Sequence, residues 1–268
     1  MTSAAEPLPR GDSDPPVRRE RDARGVITLT LNRPQAFNAL SEAMLAALQR
    51  ELDAIASDAA VRVVVIAAQG KAFCAGHDLK EMRAQPSLEY YRGLFAQCTR
   101  MMLTLRRLPV PVIARVQGIA TAAGCQLVAQ CDLAVASSAA RFAVSGVNLG
   151  LFCSTPSVPL IRNVARKPAF EMLVTGDFID AAQAQARGLV NRVVEPERLD
   201  AEIETLAASI VAKPRAVVAM GKELFYRQGE LGIEAAYDAA GETMACNMME
   251  PAALEGVQAF IEKRKPRW

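Results

Sequence analysis

Val61 to Ala68 reads Val-Arg-Val-Val-Val-Ile-Ala-Ala, nearly unbroken in β-branched and small apolar residues, and stops at Gln69-Gly70. A strand with one wet face alternates in polarity. An unbroken run of this length marks a strand buried on both faces, which requires a parallel sheet covered by helices and an α/β chain. A second such run spans Val110 to Val116. After each run the chain breaks into small residues, in Lys71 to Glu81 and in Gly118 to Asp132, where a strand should hand over to a helix. Small side chains let a ligand approach the backbone, and a helix start offers unpaired amides with partial positive charge. Two such loops could aim amides at one carbonyl oxygen.

The 268 residues, 51% hydrophobic and 22% charged, suffice for one large core or for a core with a helical appendage. A net charge of +2 gives no argument for a nucleic-acid partner, and no apolar run approaches the roughly 20 residues that span a bilayer. The six cysteines form no CxxC pair, so reduced thiols filling the core of a cytoplasmic protein are expected. Residues 1–16, rich in Pro, Ser and Ala, read as a disordered tail, and Asp12 and Asp14 argue against a mitochondrial presequence. His77 is the only histidine, which excludes a multi-histidine metal site; no metal and no separate cofactor are expected. Gly70-Lys71 and Gly221-Lys222 lack the remainder of a phosphate-binding loop.

Val17 to Glu20 and Val26 to Leu31 read as a hairpin about Arg21 to Gly25, at the edge of the first sheet. Ser41 caps a predicted helix to about Ser57, with Met44, Leu48, Leu52 and Ile55 on its apolar face. Tyr90 to Leu108 is a second helix, and Pro109 and Pro111 force an extended approach to the next strand. Thr121 is expected to cap a helix over Ala122 to Gln130, before a short buried strand at Leu133 to Ala136. A strand at Arg141 to Ala143 and a helix at Thr155 to Val164 repeat the strand, strand, helix order. After Val194 the strands stop, and Leu199 to Lys213, Pro214 to Arg227, Ile233 to Asn247 and Pro251 to Lys263 read as helices.

Ala72-Phe73-Cys74-Ala75-Gly76-His77-Asp78-Leu79-Lys80-Glu81, followed by Gly118-Ile119-Ala120-Thr121-Ala122-Ala123-Gly124-Cys125-Gln126-Leu127, resembles the paired signature of the crotonase, or enoyl-CoA hydratase/isomerase, family. The resemblance covers Val17 to Trp268 and takes in Leu31-Asn32-Arg33-Pro34, Asn38-Ala39-Leu40-Ser41 and Ala259 to Lys265. It implies a spiral of ββα units forming an acyl-CoA-binding core over 17–198, and a helical oligomerisation region over 199–268 that builds homotrimers or dimers of trimers. It also implies a thioester carbonyl held by the backbone amides of His77 and Ala123, with coenzyme A entering only as part of the substrate. The backbone of Cys74, Ala75, Gly76 and His77 then faces the adenine, Asp78, Leu79 and Gly124 are further substrate- and CoA-binding positions, and Lys80 lies near the ribose and phosphates. Phe260 and Lys263 close over the coenzyme, from the same or a neighbouring subunit. By the same resemblance, only the amide of His77 acts and its ring lines the pocket.

One departure limits the chemistry. The two glutamates that hold and activate water in the family's hydratases fall at Gln126 and Gly146, and the aspartate of its dienoyl-CoA isomerases falls at Ser154. Gln126 can bind a water but cannot take its proton, and Gly146 offers no side chain. Weak hydration is therefore expected. The rivals are isomerisation or thioester hydrolysis through the same oxyanion, and a non-catalytic acyl-CoA-binding role.

Overall fold

The computed structural model describes residues 14–268, so all of the expected tail except Asp14–Pro16 lies outside the described residues. The strands are β1 (Val17–Arg21), β2 (Val26–Leu31), β3 (Val63–Ala68), β4 (Ala72–Cys74), β5 (Val112–Val116), β6 (Ile119–Thr121), β7 (Leu133–Ser137), β8 (Arg141–Ala143), β9 (Ile179–Asp180) and β10 (Arg192–Val194). The helices are α1 (Glu42–Ala56), α2 (Leu79–Ala84), α3 (Leu88–Arg107), α4 (Ala123–Gln130), α5 (Ser154–Asn163), α6 (Arg166–Thr175), α7 (Ala181–Ala186), α8 (Leu199–Val211), α9 (Arg215–Gln228), α10 (Ile233–Met248) and α11 (Pro251–Ile261).

Six strands form one sheet in the order β1-β2-β3-β5-β7-β10, and four form a second in the order β4-β6-β8-β9. The hairpin strand β1 is antiparallel to β2 at the edge, and the remaining neighbours of the large sheet are parallel. In the pairs β3–β4, β5–β6 and β7–β8 the first strand joins the large sheet and the second the small one, after which a helix returns the chain. This is the expected α/β spiral of ββα units. The second strand of each unit is three residues long, too short to show a period, so Ala72–Cys74 and Ile119–Thr121 looked like loop in the sequence.

All six residues of β3 are buried, for a reason on each face. Val64 and Ile66 join the main core with Met44, Leu48, Leu52 and Ile55 of α1, while Val63 and Val65 join Ile113 and Val135 beneath Leu199, Ile203 and Leu206 of α8. Ser41 caps α1 by accepting from the Met44 amide at 3.2 Å. Helix α3 starts two residues before the expected Tyr90 because Ser87 accepts the Tyr90 amide. Beyond α8, Phe225, Ile233, Tyr237, Met244, Phe260 and Ile261 are exposed on α9–α11. Five cysteines are buried as expected, but Cys246 is exposed. Among the described residues no helix is long and apolar enough to cross a membrane.

Candidate active site

The first loop is held from behind by the segment Arg33–Ser41. Asn38, buried and in the left-handed region (φ 54), donates through Nδ2 to the carbonyls of Gln69 (2.8 Å) and Ala72 (2.9 Å), and its Oδ1 accepts from the Arg33 amide. The Leu40 amide donates to the Gly76 carbonyl and the Ala75 amide to the Phe37 carbonyl. Asp78 caps α2 by accepting from the Lys80 amide at 3.1 Å and faces the Arg33 guanidinium at 3.4 Å. Glu81 accepts from the Glu42 amide at 3.0 Å. Both carboxylates near the loop are thus engaged in holding it.

The second loop corrects the expected cap. Thr121 ends β6, with its hydroxyl 2.8 Å from that of Ser145, and Ala122 occupies the cap position with φ 49 and ψ −120. Ala123 opens α4, so its amide has no carbonyl of its own helix to bond. The loops meet because β4 and β6 pair in parallel. A Cβ on Gly124 would lie 2.0 Å from the Cys74 carbonyl oxygen, so only glycine lets α4 approach β4. A Cβ on Gly76 would lie 3.4 Å from the Ala123 nitrogen, which places the two junctions face to face.

They open onto a cavity of about 570 Å³ whose lining is largely apolar, with Met82, Phe95, Leu151, Phe152 and Pro156 among its walls, and includes Ala123 and the polar side chains of His77, Ser145, Ser154 and Thr155. Among the described residues no aspartate, glutamate, lysine or arginine lines it. The His77 imidazole is 3.3 Å through Nδ1 from the Leu40 carbonyl oxygen and stacks edge-on against Phe95 at 5.5 Å. Burial lowers its pKa, opposed by the Leu40 bond. Gly146 is pressed by the following segment: a Cβ there would lie 2.5 Å from the Leu151 carbonyl oxygen and 2.8 Å from Cys153 Sγ. The Gly146 amide donates to that sulfur at 3.3 Å, and burial raises the Cys153 thiol pKa. Burial also pushes Cys125 up to about 12, so neither thiol is a ready thiolate.

Ala75, His77, Leu79, Ala123 and Gly146 line the cavity, as does Ser154. Cys74, Gly76 and Gly124 are buried behind it and Lys80 is exposed at the first turn of α2. Gln126 sits one helical turn beyond Ala122, 5% exposed, with Oε1 lacking a protein partner, and does not line the cavity. Phe260 and Lys263 lie exposed at the end of α11 and are not brought to the cavity within one chain. The sequence did not reveal Met82, Phe95, Leu149, Leu151, Phe152 or Pro156, which come from separate elements, as lining residues. Asn38 carried a signal only as part of Asn-Ala-Leu-Ser.

A family model described as enoyl-CoA hydratase/isomerase matches residues 21–268. The chain is 46% identical over 253 residues to the enoyl-CoA hydratase domain-containing protein 3, mitochondrial, of Xenopus laevis, covering 94% of this chain and 86% of that protein. A crystal structure of an enoyl-CoA hydratase from Mycobacterium smegmatis superposes with a TM-score of 0.94 at 70% identity, covering 95% of this chain and 99% of that one. The human enoyl-CoA hydratase domain-containing protein 3 superposes with a TM-score of 0.91 at 43% identity, covering 94% and 100%. The frog, mouse and human relatives are named mitochondrial, which overturns the cytoplasmic expectation. Reduced thiols are compatible with either compartment, so the cysteine argument never separated them.

Proposed function

The chain belongs to the enoyl-CoA hydratase/isomerase family, and from that premise we propose that its cavity binds an acyl-CoA thioester in acyl-CoA or fatty-acid metabolism, with the carbonyl oxygen between the amides of His77 and Ala123. The observation that carries this reading is the meeting of two strand-to-helix junctions at one largely apolar cavity. Amide donors fixed in a site that excludes water stabilise the negative oxygen of an enolate or tetrahedral intermediate. Relatives named hydratases support the thioester as ligand. The first loop and Lys80 take the coenzyme, and Phe260 and Lys263 reach it from a neighbouring copy of the chain. The exposed apolar faces of α9–α11 support a trimer or a dimer of trimers.

The two-glutamate hydration mechanism has no residues here. Gln126 cannot titrate, Gly146 has no room for a carboxylate, and among the described residues no carboxylate lines the cavity. Losing one general acid or base costs about 10²–10⁴ in rate, so hydration is weak. A proton shift or thioester hydrolysis through the same oxyanion remains open to the site, and the carboxylate-free lining also favours a binding protein without turnover. The test is hydration of crotonyl-CoA, followed by loss of the conjugated-thioester absorbance, beside calorimetric binding of butyryl-CoA. Binding with slow hydration supports the reading; fast hydration refutes the argument from the missing glutamates, and absent binding refutes the ligand.

A further inference from the structure

One titratable group at the cavity has no role in the reading above. His77 meets the Leu40 carbonyl through Nδ1 at 3.3 Å, and a carbonyl accepts only, so Nδ1 carries the proton and Nε2 presents a lone pair. Nε2 is buried and has no partner among the described residues. A buried polar atom without a partner costs stability, and such atoms in native proteins call for an explanation. The ring borders the cavity, and Phe95, stacked edge-on against it, belongs to the same wall. A second acceptor, Gln126 Oε1, is buried without a partner one turn along α4 from the second loop.

The neighbouring ionisable groups leave the ring to act alone. On its own loop Asp78 is turned to Arg33 and the Lys80 amide, and Cys74 is a buried thiol held up to about 12 by desolvation. From the Leu40 side, the Glu42 amide binds Glu81. Across the cavity stands Cys153, whose sulfur accepts from the Gly146 amide. From α3, Phe95 brings no charge.

We propose that the imidazole of His77 is the proton acceptor of this site, acting on the carbon beside the carbonyl of a 3-enoyl thioester. This rests on the acyl-CoA reading. Nε2 takes the C2 proton, the C–H pair becomes the C2–C1 π bond, and the carbonyl pair moves onto the oxygen facing the His77 and Ala123 amides. The resulting imidazolium returns that proton to C4 as the dienolate collapses to the 2-enoyl thioester. One residue takes and returns one proton, with no water, oxidant or cofactor consumed, which suits a cavity with no carboxylate pair. Because Nε2 is buried, the wall over it must open before the acyl chain reaches it.

The probe is 3-butenoyl-CoA, whose conversion to crotonyl-CoA appears as a rise in conjugated-thioester absorbance. His77→Gln is expected to lower this rate by about 10²–10⁴-fold, far more than any change in butyryl-CoA affinity measured by calorimetry. The wild-type rate should fall as pH drops through an imidazole ionisation below the ordinary histidine range. Because the chain has one histidine, ¹⁵N-histidine labelling reads it directly: a protonated Nδ1, a bare Nε2, and a change at Nε2 on adding butyryl-CoA. Equal rates in His77→Gln, a wild type that binds butyryl-CoA but does not isomerise the probe, or a protonated Nε2 in the neutral ring would each overturn the proposal. Failure of the wild type to bind butyryl-CoA would instead overturn the acyl-CoA reading.

Discussion

Lys222 on α9 donates to the carbonyls of Leu105 (3.0 Å) and Val110 (3.0 Å) and to Asp132 Oδ2 (2.7 Å), so its ammonium is filled. Asp132 also accepts from the Tyr226 hydroxyl and the Val112 amide, both at 2.6 Å. The pair is nearly buried, with side chains 7% and 14% exposed. Desolvation lowers the Lys222 pKa, opposed by the Asp132 carboxylate, and raises that of Tyr226. Lys222→Met would leave the Asp132 carboxylate buried without its cation and strand two carbonyls, a change worth about 3–5 kcal/mol. That is a large share of a typical domain's stability of roughly 5–15 kcal/mol, and lowers Tm by roughly 6–15 °C. Tyr226→Phe removes one hydrogen bond to a charged group and should cost about 1.5–3 kcal/mol. Replacing Lys222, Asp132 and Tyr226 together by apolar residues of similar volume should cost far less than Lys222→Met, since no unpaired charge remains. Urea and thermal unfolding at one fixed protein concentration measure all three. A Lys222→Met variant within about 1 kcal/mol of wild type, the usual size of an exposed pair, would refute the argument that this pair is desolvated.

Three further outcomes are expected. Gln126→Glu should fold, whereas Gly146→Glu should lose more thermal stability, because its Cβ would stand 2.5 Å from the Leu151 carbonyl oxygen; equal stability of the two variants would contradict the packing. Ala122→Gly relieves an alanine held at φ 49 and ψ −120, a region costing of order 1–3 kcal/mol, so part of that should return as stability in urea unfolding despite the greater freedom of the unfolded chain. Glu255 accepts from Arg264 and the Arg267 amide, which hold its pKa down to about 2, and Trp268, the only tryptophan, donates to the Ala212 carbonyl. Because the folded pKa is depressed, this anchoring of the C-terminus is intact above the ordinary glutamate range and is lost as pH falls toward about 2. Tryptophan emission should shift to longer wavelength over that window, and in Glu255→Gln should be insensitive to it.

The sequence by itself determined the fold class, because burial on both faces leaves a direct signature: Val61–Ala68 has no polar face, and β3 is covered by α1 on one side and α8 on the other. It located both loops for a similar reason, since a close approach of backbones admits only small residues, as at Gly124 against Cys74. Caps made by a neighbouring side chain were legible at Ser41. The cap at Ala122 was not, because its backbone is imposed by the pairing of β6 with β8 and by the Ala122 amide donating to the Ala143 carbonyl. Only the tertiary structure decided that Met82, Phe95 and Phe152 share one cavity, that Leu151 and Cys153 leave no volume beside Gly146, and that the His77 ring has one nitrogen satisfied and the other bare. Those facts depend on contacts between residues far apart in the chain, and neither periodicity nor residue type along a sequence records which distant atoms fill a given space.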